Sequence, residues 1–294
     1  MPSPATYAPP TERVLLGLIG AGIQSSLTPA MHERECQAQG LRCLYQLIDL
    51  DELQLTAEAL PDLLLSAERM GFAGLNITFP CKQRILPLLT EVSEDAQALG
   101  AVNTVVFRDG KRLGFNTDSC GFAEAFQRDL AGALTGSVLQ LGAGGAGTAV
   151  AHALLCAGVK NLVIYDVDLE RAEDLAQRLR RRHSGAQVGV TKEPAAAVSG
   201  VQGLVNTTPV GMAKMPGSPI RCDLLHATMW VADVIYFPAE TELLRAGRKL
   251  GCRIMNGGGM AVFQAVKAFH AFTGRSADPN RMRRHFEELS GRLD

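Results

Sequence analysis

The sequence has no excess of charge of either sign: 29 Lys and Arg stand against 30 Asp and Glu, a net charge of −1 with histidine neutral. That balance gives no reason to expect nucleic acid or an anionic membrane as a partner. No Cys-x-x-Cys pair occurs among the seven cysteines, Cys36, Cys43, Cys81, Cys120, Cys156, Cys222 and Cys252. The odd, scattered set, with no secretory apolar segment ahead of it, predicts reduced thiols and a cytoplasmic setting. The six histidines supply no His-x-x-x-His pair, so no metal site is expected. Val14 to Ile23 is too short and too rich in glycine to span a bilayer. Internal repeats and low-complexity tracts are also missing, apart from a Pro-rich opening, Met1 to Pro10, that reads as a disordered tail.

What is present is most concentrated in Ser137-Val-Leu-Gln-Leu-Gly-Ala-Gly-Gly-Ala-Gly147, followed by an apolar helical stretch and Leu162-Val-Ile-Tyr-Asp166. A buried strand runs into Gly-x-G-x-x-G spacing at Gly142, Gly144 and Gly147, and a second strand ends in an acid. A dinucleotide site needs those parts in that order. The first glycine makes the tight turn, the second admits the pyrophosphate, and the third lets helix pack on sheet. Gly142, Ala143, Gly144, Gly145, Ala146 and Gly147 are therefore candidate cofactor residues at a helix N-terminus. Asp166 would take the adenosine ribose hydroxyls. With Asp168 beside it, a 2′-phosphate would meet like charge, so NAD is expected in preference to NADP. Arg171, on the following helix, is the one nearby base that can bend back toward that site.

Strand-like and helical runs alternate along the chain, which predicts α/β architecture. Strands are expected at Val14–Ile19, Leu44–Ile48 and Gly74–Thr78, with a helix over Ala30–Gln39 closed by Gly40. Two short strands flank an Asp109-Gly110 turn, and a helix near Gly121–Leu130 leads into the nucleotide unit. Further strands fall at Gly203–Asn206, Val231–Tyr236 and Cys252–Met255. The arginines at 178 and 180–182 read as the solvated end of the helix that starts near Leu169. The division expected is a substrate-binding domain over 1–120, completed by helices in 260–294, and a nucleotide domain over 121–259, with a cleft between them. The first sheet should be mainly parallel and the second a Rossmann sheet.

Several polar clusters follow strand ends, where ligands bind in such sheets. Thr28 reads as an N-cap and Pro29 as the first helical residue, with the Ser26 and Thr28 hydroxyls on one side of an extended entry strand. That place suits a substrate carboxylate. Asn76-Ile-Thr-Phe-Pro-Cys-Lys82 leaves a strand and should enter a helix after Pro80, presenting Thr78 and Lys82. Gly100-Ala-Val-Asn103-Thr and Gly114-Phe-Asn-Thr-Asp118 add an amide and a carboxylate. One amine, one carboxylate and several neutral hydrogen-bonders describe a site for a polyhydroxylated acid. In the nucleotide half, Asn206-Thr-Thr-Pro-Val-Gly-Met212 offers Thr207, Thr208, Val210 and Met212 to the nicotinamide end. Asn256-Gly-Gly-Gly-Met260, with Gly257 and Met260, reads as a flexible turn into the helix that carries Gln264.

Taken together, these motifs resemble the shikimate/quinate dehydrogenase family over roughly Val14 to Phe286, including Ser26-Leu-Thr28-Pro-Ala-Met-His and Gly257-Gly-Gly-Met-Ala-Val-Phe-Gln264. The resemblance implies that Lys82 and Asp118 handle the proton and that Ser26 and Thr28 hold the carboxylate. It gives Thr78, Asn103 and Gln264 the ring hydroxyls, with Tyr236 nearby. Where NADP-using members carry Asn-Arg-Thr, this chain has Asp166-Val167-Asp168, as expected of the NAD-using branch. Its Ser-x-Thr pair also resembles that branch, and Cys81 and Ser25 replace histidines often seen before Lys82 and Ser26. The implied activity is reversible NAD-linked oxidation of quinate or shikimate by a monomer or homodimer. A divergent family dehydrogenase acting on a related polyhydroxy or amino cyclohexane(ene) carboxylate is the alternative. So is a non-catalytic NAD-binding module, which would have no need of the Lys82/Asp118 couple.

Overall fold

The computed structural model describes residues 12–291, so the expected tail at Met1 to Pro10 lies outside the described residues. The chain first lays down β1 (Arg13–Gly20), α1 (Thr28–Ala38), β2 (Arg42–Asp49), α2 (Leu60–Arg69), β3 (Gly74–Ile77), β4 (Glu91–Val92), α3 (Glu94–Leu99), β5 (Thr104–Arg108) and β6 (Lys111–Phe115). These strands form one sheet in the order β2-β1-β3-β5-β6-β4. β1 runs parallel to β2 and β3, β5 antiparallel to β3 and β6, and β4 parallel to β6. The β5–β6 hairpin closes through Asp109 and Gly110, both at positive φ (52° and 70°), the backbone that a two-residue Asp-Gly turn requires.

The chain continues through α4 (Thr117–Asp129), β7 (Ser137–Leu141), α5 (Gly145–Cys156), β8 (Asn161–Tyr165), α6 (Leu169–Arg182), β9 (Gln187–Val190), α7 (Pro194–Ala197), β10 (Gly203–Asn206), β11 (Trp230–Asp233), α8 (Glu242–Lys249) and β12 (Arg253–Met255). These six strands make a second sheet, β12-β11-β10-β7-β8-β9, parallel throughout. Counted from β7, its order is the doubly wound 3-2-1-4-5-6 of dinucleotide folds. Apolar strands such as Val138-Leu139 and Leu204-Val205 are buried on both faces, as a parallel sheet covered on both sides demands.

Two helices end the described chain, α9 (Gly257–Thr273) and α10 (Pro279–Ser290). α9 starts in the second core, where Met260 and Phe263 pack with Phe122 and Trp230. It finishes in the first, where Phe269 and Phe272 pack with Leu16 and Leu18 of β1. α9 thus joins the two cores as one continuous helix that runs through residue 260. α10 is fastened to α1 by Arg281, whose Nε and Nη2 donate to the buried Glu35 carboxylate at 2.8 and 2.6 Å. That two-pronged geometry makes a strong, directional tie.

Candidate functional site

Between the two sheets lies a cleft of about 390 Å³. Ser26, Thr28, Thr78, Lys82, Asn103 and Asp118 line it from the first sheet's side, and Ala146, Met212, Tyr236, Gly257, Met260 and Gln264 close the other side. All eight residues that the sequence proposes for proton handling and substrate binding therefore face one space. At its centre Lys82 Nζ donates to Asp118 Oδ2 at 2.5 Å, with side-chain exposures of 21% and 5%.

The segment that delivers Lys82 is not the helix expected after Pro80. It is a series of turns, with Cys81 N–H bonded to Thr78 O at 2.8 Å and only a single helical turn at Leu86–Leu88. Burial of Cys81 and the bond from Val102 N–H to Lys82 O (2.9 Å) pin the backbone instead. Asp118 sits in the first turn of α4, where Asn116 caps the helix by accepting from Asp118 N–H and Ser119 N–H. A carboxylate in that turn is favoured by the helix dipole. Asn103 lines the cleft, yet its amide is already committed. Its Nδ2 donates to Asp118 Oδ1 at 2.9 Å, and its Oδ1 accepts from Thr117 N–H at 2.8 Å. That arrangement leaves Oδ2 of Asp118 aimed at Lys82.

Ser26 and Thr28 also depart from expectation in local form. Residues 24–27 turn rather than extend, and Leu27, in the right-handed helical region, holds the N-cap position without a side-chain bond. Thr28 is thus the first helical residue, and the Ser26 hydroxyl accepts its N–H at 3.3 Å. The loop is anchored by Asp49, at the carboxyl end of β2. One of its oxygens accepts from Gly22 N–H, and the other from Ile23 N–H and the Gln24 side chain, all at 2.9–3.0 Å. Desolvation opposes the Asp49 charge, but these bonds together hold its pKa below the ordinary value. Sequence reasoning missed Asp49, although the strand-end rule that found Thr78 also points to it. It also missed Asn76, which lines the cleft and accepts from Tyr45 Oη at 2.7 Å.

Across the cleft, Gly142 has a φ of 101°, and a Cβ on Gly147 would meet Gly142 O at 2.4 Å. Both positions of the turn therefore exclude side chains. A Cβ on Gly144 would meet nothing within 4 Å, and one on Gly145 would stand 3.9 Å from Lys82 Cδ. An open backbone at a helix N-terminus fits a pyrophosphate. Thr207 braces this turn, its hydroxyl donating to Leu141 O and Gly142 O, and does not face the cleft. Thr208 and Val210 are tied to Asn206, which is itself bonded to buried Asp233. Gly257 to Gly259 are not a flexible turn. They form the buried first turn of α9, and a Cβ on Gly257 would lie 2.0 Å from Val234 O.

Asp166 directly follows the last residue of β8. Desolvation raises its pKa, but N–H bonds from Asp168 (2.9 Å) and Ala143 (2.7 Å), with Arg171, outweigh that and keep it low. Arg171 does bend back, its Nη2 reaching Asp166 Oδ1 at 2.8 Å. Asp168 caps α6 by accepting from Arg171 N–H. The carboxyl end of β8 thus carries one cation beside two acids, a less one-sided field than the sequence suggests.

A doubly wound sheet whose glycine turn faces an amine–carboxylate pair across a cleft defines a pyridine-nucleotide-dependent oxidoreductase. Comparison with known proteins narrows the class. Residues 18–105 match the family model for the shikimate dehydrogenase substrate binding domain. The chain is 52% identical over 281 residues to the shikimate dehydrogenase (NADP(+)) of Pseudarthrobacter chlorophenolicus, covering 95% of this chain and 96% of that protein. It is 46% identical to the quinate/shikimate dehydrogenase (NAD(+)) of Corynebacterium glutamicum, covering 95% and 99%. The structure of quinate dehydrogenase from Corynebacterium glutamicum in complex with NAD superposes with a TM-score of 0.90 at 45% identity, covering 95% and 100%. The chain belongs to the shikimate dehydrogenase family.

Proposed function

We propose that this protein catalyses reversible, NAD-linked oxidation of the ring secondary alcohol of quinate, shikimate or both to the 3-dehydro ketone. The observation that carries this reading is the Lys82–Asp118 pair, at 2.5 Å, set in the same cleft as Ser26 and Thr28 on one side and Met212 and Met260 on the other. The Ser26 and Thr28 hydroxyls, beside the N-terminus of α1, suit a carboxylate. Thr78 and Gln264 suit ring hydroxyls, and Tyr236 closes the end of the pocket. When bound, the nicotinamide supplies the hydride acceptor. Lys82 and Asp118 together accept the hydroxyl proton in oxidation and return it in reduction, while Asn103 orients the carboxylate. Unpaired cysteines support a reducing, cytoplasmic setting.

The two cofactors are to be compared directly, since relatives at similar identity are named for each. Asp166 and Asp168 support NAD, and Arg171 alone supports NADP. Nicotinamide absorbance followed with quinate and then shikimate, against each cofactor, tests the reading. No turnover with either acid would reject it. Lys82→Ala should lower kcat by about a hundredfold or more; near-normal turnover would remove Lys82 from the chemistry.

A further inference from the structure

Away from the cleft, His152 and Cys156 stand one helical turn apart near the end of α5, with His152 Nε2 3.6 Å from Cys156 Sγ. His183, just past the end of α6, brings its Nε2 to 3.0 Å from His152 Nδ1. One donor atom from each of the three residues lies within 4.8 Å of the others. Asp95, on α3 of the first sheet, places Oδ1 3.8 Å from His152 Nε2 and 3.4 Å from Arg182 Nη2. None of these residues lines the cleft, and nothing in the proposed reaction uses them.

We propose that His152, Cys156 and His183 form a binding site for a divalent transition metal ion of the zinc type, with Asp95 or a water in the fourth position. Two imidazoles and a thiolate are the donors that select zinc or cobalt over magnesium or calcium. Metal–nitrogen bonds of about 2.0–2.1 Å and a metal–sulfur bond of about 2.3 Å set donor separations of about 3.3–3.7 Å in a tetrahedron. His152 turns Nδ1 to His183 and Nε2 to Cys156, so one of its nitrogens must serve the ion while the other is released; with all three donors already within 4.8 Å, side-chain rotation alone brings them to tetrahedral spacing. Desolvation, then neighbouring cations, pushes both histidines down, so neutral imidazoles are available at neutral pH. Burial and Asp95 push the Cys156 thiol up; the ion would displace its proton to solvent, and binding should strengthen as pH rises. Cys156 is exposed, which gives the ion a path in. His-x-x-x-His, the pattern sought in the sequence, misses this His-x-x-x-Cys pair because its second donor is a thiol, and the third, His183, lies 27 residues further along the chain.

The test uses the full chain, reduced and stripped of metal, titrated with Zn²⁺ or Co²⁺ alone. About one zinc per chain by equilibrium dialysis, and a thiolate-to-cobalt charge-transfer band, are expected. Cys156→Ser should abolish the band, and His183→Ala should weaken zinc binding by about tenfold or more. Both variants should keep the wild-type circular dichroism spectrum and dehydrogenase turnover. Failure of the wild-type chain to bind zinc stoichiometrically would overturn the proposal, as would unchanged binding in the two variants.

Discussion

Asp233 is a buried carboxylate that lines no ligand surface, and its role is to hold Asn206 beneath the 206–212 loop. It accepts from Asn206 Nδ2, Ile235 N–H and the Thr241 hydroxyl. Desolvation nonetheless pushes its pKa up to about 6. An acid whose pKa is higher folded than unfolded binds more protons in the folded state, so its contribution falls as pH rises from about 4 to about 6. Asp233→Asn keeps an acceptor for Asn206 and removes the titration. Relative to this variant, the wild type should gain up to about 3 kcal/mol of unfolding free energy between pH 7 and pH 4. Denaturant unfolding at several pH values measures this; parallel profiles would show that the carboxyl titrates normally. Cofactor choice is decided at the same scale. Val167 is 86% exposed beside Asp166, so Val167→Arg combined with Asp166→Asn should raise kcat/KM for NADP relative to NAD by about tenfold or more. Unchanged discrimination would mean that the adenosine ribose lies elsewhere.

At the scale of elements, the 21–28 loop shows how a strand end supports a binding surface. Asp49 holds the loop through bonds to two backbone N–H groups and Gln24, so Asp49→Ala should loosen Ser26 and Thr28. Steady-state kinetics should then show KM for the acid substrate rising about tenfold, with kcat changed much less, the pattern of lost uniform binding. A proportionate fall in kcat with KM unchanged would contradict this role. The same loop marks the limit of what the sequence makes legible. Glycine spacing, apolar runs and the Asp-Gly turn are local signals, and they place β7, α5, β8 and the β5–β6 hairpin where they stand. The sequence reading gives no bounds for the edge strands β4 and β9, whose two and four residues carry little apolar periodicity, nor for α2, α3, α7 and α8, although α2 buries Leu60, Leu64 and Ala67 at helical spacing. A helix after Pro80 was expected from local composition, but burial of Cys81 and pairing with residue 102 override that preference. The site's residue types could be named from sequence. The commitments of Asn103 and Thr207 to other protein groups could not, because they depend on neighbours remote in the chain.

On the scale of the whole molecule, α9 and α10 decide whether the first sheet has a second covering layer. Among the described residues, Arg281 is the cation bonded to the buried Glu35. Arg281→Ala would leave that carboxylate to Gln39 Nε2 and Asp278 N–H, and because Arg281 is itself partly exposed the loss should be about 2–3 kcal/mol, below the full cost of breaking a buried pair. Urea unfolding should show that loss, and a change below about 1 kcal/mol would mean that Glu35 finds water or another donor.

Synthesis runs in one direction, and α9 gives that direction a meaning. A ribosome making this chain has joined every strand of the second sheet before it reaches residue 257. The sheet born first must wait, one apolar face covered only in part by Met31 and Cys36 of α1, for Phe269, Phe272, Met282 and Phe286 to emerge. Of the two halves, the later one to be translated is the earlier one able to mature, and the older half is the one a chaperone would find exposed.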